Sequence, residues 1–262
     1  MQCEFSLVDA FITDDPFSGN PAGVCWLESW PEDEVLQAFA AEMNQAETAF
    51  MVDEGEQIRL RWFTPTVEVD LCGHATLAST LVVWGTRKRE EDSPIRFITK
   101  SGELVAIPAD AGYTILDFPG DPSEETNSQE IIDLAPNGIH YAVSRRKAMI
   151  VLPSVEDVRN YQPDFDQLSK IEKVGVIITA KQSEDTFVSR FFAPQSGVPE
   201  DSVTGSAHCV LAPYWSEQLG RPILNAHQLS NRGGFLRTQI QGDRVFLAGR
   251  TMPRLVGTAF LG

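Results

Sequence analysis

Cysteine and histidine are scarce in this sequence, four of each in 262 residues, and neither is spaced for a metal or a disulfide. Cys3, Cys25, Cys72 and Cys209 lie far apart with no C-x-x-C pair, which argues against a zinc site and a disulfide framework. The histidines form no H-E-x-x-H. No G-x-G-x-x-G and no Walker A stretch occurs, so no cofactor and no metal are expected. Positive charge is short as well: 21 Lys+Arg face 37 Asp+Glu, a net charge of −16. That excludes nucleic acid as a partner, because phosphate binding needs clustered bases. Long apolar runs are missing too. The best, Ala75 to Trp84, is broken by Thr76, Ser79 and Thr80 and is too short to span a bilayer. Met1-Gln2-Cys3-Glu4-Phe5 carries no basic segment leading into an apolar run. The expectation is a cytoplasmic protein, off the membrane, working with bare side chains.

What is present is an ordinary globular composition, 42% hydrophobic and 22% charged. The length suits one large domain or two ordinary ones and needs no staple to bury a core. Charge is lopsided: up to Asp117 there are 21 acids and 7 bases, beyond it 16 and 14. Acidic runs such as Glu32-Asp33-Glu34 and Glu90-Glu91-Asp92 read as solvated surface.

In the first half, β-type runs at Glu4 to Phe11, Ala22 to Leu27, Glu47 to Val52 and Ile58 to Phe63 predict strands. So do Ile95 to Thr99, Leu104 to Pro108 and Tyr113 to Phe118. Pro31 to Glu42 reads as an amphipathic helix and Gly73 to Trp84 as an apolar one. The turn-rich segment from Pro119 to Asn127 is the linker candidate. Beyond it come a helix near Ser128 to Leu134, strands near Ile139 to Val143 and Ala148 to Leu152, and a polar stretch to Lys173. Strands Val174 to Thr179 and Phe187 to Phe192 follow, then an apolar helix from Gly205 to Trp215 and strands near Phe235 to Ile240 and Val245 to Gly249.

Each half thus holds many strands and one apolar helix opening after a glycine. Cys72-Gly73-His74-Ala75-Thr76 matches Thr204-Gly205-Ser206-Ala207-His208, and each follows an aspartate, Asp70 or Asp201. A tandem duplication is the reading. The first turn of a helix presents open N–H groups and a positive dipole end, so Gly73 and Gly205 mark seats for an anion such as a carboxylate. A close-packed helix start is the bland alternative for either motif alone. Glu47 sits among Ala46, Ala49 and Phe50, surroundings that raise a carboxyl pKa and suit general acid/base work; a surface or capping role is the commoner fate of a glutamate. His74 stands beside one anion seat, and Asp201 and Ser206 flank the other. Ser206, His208 and Asp201 do not make a triad, because residues two apart on a helix point roughly 200° apart. Cys72 is open to reading as a nucleophile, a base or a small buried apolar residue.

Taken together, these motifs resemble the phenazine-biosynthesis PhzF-like proteins. The likeness rests on Phe17-Ser18-Gly19-Asn20-Pro21-Ala22-Gly23-Val24, Asn44-Gln45-Ala46-Glu47-Thr48-Ala49-Phe50, Arg61-Trp62-Phe63-Thr64-Pro65 and Glu68 to Thr76. Pro199 to His208, Pro213-Tyr214-Trp215 and Arg232-Gly233-Gly234 extend it across nearly the whole chain. The resemblance implies an α+β, diaminopimelate epimerase-like fold. It would have two similar domains, each a curved sheet or barrel around a central helix, with the active site in the cleft between them. The expected division is 1–118, joined by the C-terminal strand 250–262, and 119–249. A homodimer and a small anionic carboxylate substrate are implied as well.

Carried over residue by residue, the resemblance makes Glu47 the general acid/base, assisted by His74, Asp201 and Ser206. Asn20 and the helix-start amides at Gly73 and Gly205 would hold substrate. Ser202 departs from the family's usual proline after the Glu-Asp pair. The epimerase relatives use two cysteines; here Cys72 falls on one position and Thr204 on the other, and a threonine hydroxyl is too weak an acid for that role. The expectation is therefore a cofactor-independent isomerase that shifts a double bond in a small unsaturated carboxylate with one glutamate. An epimerase or racemase using Cys72, and a non-catalytic binding protein, are the alternatives.

Overall fold

A computed structural model describes residues 1–86, 90 and 93–262, so Glu91 and Asp92 of the acidic run lie outside the described residues. The chain divides into two compact units, Met1–Asp117 with Ala248–Gly262, and Phe118–Leu247.

The first unit opens with β1 (Gln2–Ala10), antiparallel to β2 (Asn20–Leu27). Helix α1 (Asp33–Met43) follows, with Asp33 and Glu34 at its positive end, and stops where Asn44 adopts the left-handed conformation (φ 49°). The chain returns as β3 (Glu47–Asp53), parallel to β2, then β4 (Ile58–Phe63), antiparallel to β3. Short β5 (Glu68–Val69) leads into α2 (Gly73–Gly85). Strands β6 (Ile95–Thr99), β7 (Gly102–Pro108) and β8 (Thr114–Pro119) follow, β6 running parallel to β4.

Leu36, Phe39 and Ala40 of α1 bury one face against Cys25, Phe50, Val52 and Phe63 of the sheet, with Phe39, Phe50 and Phe63 in edge-to-face contact. Helix α2 packs against β1, β2 and β3 and is buried from Gly73 through Thr80. Its hydroxyls are satisfied internally, Thr76 Oγ1 donating to the Cys72 carbonyl and Ser79 Oγ to that of Ala75.

The second unit repeats this order. After β9 (Glu124–Glu125) and α3 (Gln129–Leu134), β10 (His140–Val143) is antiparallel to β11 (Lys147–Val151). Helices α4 (Val155–Asn160) and α5 (Phe165–Leu168) precede β12 (Gly175–Lys181), which is parallel to β11. Then come β13 (Thr186–Ala193), β14 (Val198–Asp201), α6 (Gly205–Leu219) and β15 (Ile223–Gln228), the last parallel to β13 as β6 is to β4. Strands β16 (Gly234–Gln241) and β17 (Arg244–Gly249) follow, and the chain then re-enters the first unit as β18 (Thr251–Phe260), antiparallel to β1.

Helix α6 continues past the expected end at Trp215, through Pro213. Proline has no N–H for the carbonyl four residues back. That carbonyl, of Cys209, instead accepts from Asp121 N–H at 3.0 Å. The segment from Pro119 to Asn127 is thereby tied to the second unit's own helix.

Three readings need correction. The stretch to Lys173 contains α4 and α5, capped by Ser154 and Asp164, each accepting from the N–H three residues on. Strand β15 was not foreseen. The acidic surplus is not all surface: Asp9 is buried with Oδ2 2.6 Å from Arg254 Nε. Glu68 holds Arg61 at 2.8 Å. Burial pushes the Glu68 carboxyl up, but hydrogen bonds from Arg61 and Lys100 outweigh it and hold it below the usual range.

Candidate functional site

In the first unit three local features converge. Gly19 has φ +86°, and a Cβ there would lie 2.6 Å from the Ala10 carbonyl oxygen, so only glycine makes this turn. The turn starts β2 at Asn20, which is buried. The left-handed Asn44 ends α1 and returns the chain so that Glu47, first in β3, stands opposite Ala22 of β2. Cys72 is extended and begins α2 without a side-chain cap, placing His74 in the first turn.

His74 Nε2 lies 3.3 Å from Glu47 Oε2. Asn20 Nδ2 is 3.1 Å from His74 Nδ1, and Cys72 Sγ is 3.5 Å from that same nitrogen. Burial lowers the His74 pKa to about 3, so the ring is neutral at physiological pH. An amide N–H₂ and a thiol are both donors, so Nδ1 accepts and the proton resides on Nε2, facing the carboxylate. The contact is then between a neutral donor and a carboxylate rather than an ion pair. At 3.3 Å it lacks hydrogen-bond alignment, so a small rotation of Glu47 closes or opens it.

In the second unit Asp201, Gly205 and Ser206 gather at the start of α6. Asp201 Oδ2 accepts from Thr204 Oγ1 at 2.7 Å. The buried Gln228, at the end of β15, accepts from Thr204 N–H at 2.9 Å and donates to the Asp201 carbonyl at 2.8 Å. Ser206 is half-buried at the second helical position. His208 donates from Nδ1 to the Thr204 carbonyl at 2.8 Å, and burial lowers its pKa to about 4. Its ring is committed to its own helix.

Gln228 escaped the sequence reading. Its signal was present: Leu224, Ala226 and Gln228 share one face of an alternating run, so the glutamine takes a core position where a polar side chain needs partners. A second missed signal is the pair Arg61-Trp62-Phe63-Thr64-Pro65 and Arg190-Phe191-Phe192-Ala193-Pro194. Arg61 clasps Glu68 with two hydrogen bonds and lies over Phe63, and Arg190 clasps Glu200 and lies over Phe192 in the same way.

Comparison with known proteins places this architecture. The profile of the phenazine biosynthesis-like proteins, PhzC-PhzF, matches residues 8–257. The chain belongs to the PhzC-PhzF family. An uncharacterized isomerase of Pseudomonas aeruginosa is 46% identical to this PhzC-PhzF member, covering 96% of each chain. The crystal structure of a PhzF-family phenazine biosynthesis protein from Enterococcus faecalis superposes with a TM-score of 0.91 at 38% identity, covering 99% of this chain and 100% of that one. A hydroxyproline epimerase from Agrobacterium vitis, solved with trans-4-hydroxy-L-proline, shares the fold at a TM-score of 0.68 and 10% identity, covering 98% and 92%. The PhzC-PhzF member is thus an enzyme of an isomerase family with the epimerase-like α+β fold. Among its described residues no helix is long and apolar enough to cross a membrane.

Proposed function

We propose that this isomerase moves a proton between two carbons of a small unsaturated carboxylate, with Glu47 as the single acid and base and no cofactor. The supporting observation is the 3.3 Å approach of the neutral His74 Nε2–H to Glu47 Oε2. A neutral imidazole cannot give up a second proton near pH 7, so His74 orients the carboxylate and does not shuttle protons. Glu47 takes the proton from one carbon, the charge spreads into the conjugated carboxylate, and Glu47 returns the proton at another carbon on the same face. Proton count and charge are restored at the end. The first-turn amides from Gly73 onward, uncapped by the Cys72 side chain, face the developing negative charge. Asn20 fixes the imidazole tautomer and lines the site. Asp201, Ser206 and the start of α6 at Gly205 are assigned to substrate handling by their motif alone.

The test is Glu47→Gln, which keeps the shape and removes the base. In deuterated water with a panel of small unsaturated carboxylates, deuterium incorporation falls by about 10²–10⁴-fold. Incorporation at the wild-type rate overturns the proposal.

The place of Cys72 supports a second reading. Its thiol reaches His74 Nδ1 at 3.5 Å, inside the same cluster, so an epimerase using that thiol has its acid in position. Cys72→Ser with unchanged turnover removes that reading.

A further inference from the structure

The isomerase reading leaves Cys72 without a chemical task, yet the geometry around it is specific. Glu47, Cys72 and His74 each offer one ligand-type atom, and all three lie within 4.8 Å of one another. Cys72 and His74 are buried and Glu47 is partly buried, at the junction of β3 with the first turn of α2. A tetrahedral zinc ion with bonds of about 2.0–2.3 Å holds its ligand atoms roughly 3.3–3.6 Å apart. The approach of His74 Nε2 to Glu47 Oε2, 3.3 Å, already meets that spacing, whereas Cys72 Sγ lies 3.5 Å from the other ring nitrogen, Nδ1. Binding therefore needs the Cys72 side chain to turn toward Nε2 and the remaining separations to contract by about 1 Å.

We infer that Glu47, Cys72 and His74 form an inhibitory site for a thiophilic divalent cation of the zinc type, with the fourth coordination position open. The positive end of α2 opposes a bare cation. Two anionic ligands, the Glu47 carboxylate and the Cys72 thiolate, cancel a divalent charge and make the bound unit neutral. Coordination displaces the Cys72 thiol proton to solvent; the neutral imidazole binds through Nε2, its proton passing to Nδ1, where Asn20 turns its amide oxygen in to accept it. One thiolate, one imidazole and one carboxylate suit zinc, whereas magnesium and calcium require more oxygen ligands than the cluster offers. The functional consequence rests on the proposal that Glu47 is the base. Metal takes the lone pair that accepts the substrate proton, so binding stops turnover and a chelator restores it.

The experiment begins with chelator-treated protein titrated with Co²⁺. Tetrahedral, thiolate-bound cobalt gives strong visible bands and a sulfur-to-metal charge-transfer band, and added Zn²⁺ displaces both. Cys72→Ser abolishes the charge transfer and weakens Zn²⁺ binding by more than about 100-fold, beyond the loss of an outer partner; Cys72→Ala substitutes if the serine variant does not fold. Glu47→Gln weakens Co²⁺ binding while keeping the charge-transfer band. A weak six-coordinate spectrum in the wild type, or a charge-transfer band that survives loss of Cys72, overturns the inference. Deuterium exchange in metal-free protein separates the two ideas. Exchange that needs Glu47 but ignores Zn²⁺ defeats the metal site alone. Exchange that ignores Glu47 while the cobalt spectrum is present defeats the catalytic reading alone.

Discussion

At the start of α2 the side chain of Thr76 donates to the Cys72 carbonyl at 2.5 Å, and at the start of α6 the ring of His208 does the same to Thr204 at 2.8 Å. These residues hold the same place in the two repeats. Both helices are entered from an extended, uncapped residue, and both are preceded by a hairpin-like pair clasped by an arginine and a glutamate. The scaffold is therefore common, and the difference is confined to a few positions. The second helical residue is a buried His74 in one unit and a half-buried Ser206 in the other. The first residue of the returning parallel strand is Glu47 in one and Gly175 in the other, where a Cβ would strike the Phe191 ring at 2.3 Å. The carboxylate has no counterpart in the second repeat. A repeated frame with one carboxylate at that position favours the proposed removal and return of a proton by a single group over exchange between two.

The largest test of that asymmetry is kinetic. Against the 10²–10⁴-fold loss expected for Glu47→Gln, Asp201→Asn should stay within about tenfold of wild type, because the amide oxygen still accepts from Thr204 and one neutral hydrogen bond is worth about 1 kcal/mol. Equal losses in isotope exchange would erase the distinction. Next come the two clasps. Arg190 bonds Glu200 and also the Tyr161 carbonyl at 2.7 Å beyond the end of α4, whereas Arg61 shares Glu68 with Lys100 and reaches Asp33. Arg190→Met should therefore cost about 3 kcal/mol and Arg61→Met about 2 kcal/mol, read from urea midpoints; the reverse order would show the clasps are not graded by their backbone contacts.

Acid stability compares the two buried rings. An unfolded histidine takes up a proton near pH 6.5, but His208 refuses one until about pH 4 and His74 until about pH 3. In that window the unfolded chain binds more protons, so stability falls as pH falls, by about 1.4 kcal/mol per pH unit for each ring. His208→Asn keeps a donor for the Thr204 carbonyl and should remove about half of the two rings' combined slope between pH 6 and 4.5. An unchanged slope in denaturant titrations would mean His208 is not the buried neutral group described. The smallest effect belongs to Asp33→Asn, a largely exposed partner of Arg61, expected within about 0.5 kcal/mol.

The repeated order of elements was legible because its mark is local: a glycine, a small residue and an apolar run at each helix start. Ile58–Phe63 and Ile95–Thr99 were legible to the residue, since alternation and turn signals bound them on both sides. The short α4 and α5 were not, because six and four residues give no helical period; only Ser154-x-x-Asp157 and Asp164-x-x-Gln167 betray their starts. Glu47, His74 and Asn20 could be named from motifs. What sequence could not supply was the protonation of His74, which depends on burial and on the donors that meet Nδ1. Gln228 was hidden for a similar reason: its role depends on a strand whose pairing with β13 is set by residues far along the chain.

The pairing of β1 with β18 has a consequence for synthesis. Some 240 residues separate the two strands. At about 5–20 residues per second the ribosome delivers the second of them roughly 12–48 s after the first. Residues 118–247 leave the ribosome as a complete unit in that interval, while β1 keeps an unsatisfied edge. The half that carries the carboxylate is begun first and finished last, and an open strand edge during that wait is where a nascent chain is most exposed to mispairing and in most need of a chaperone.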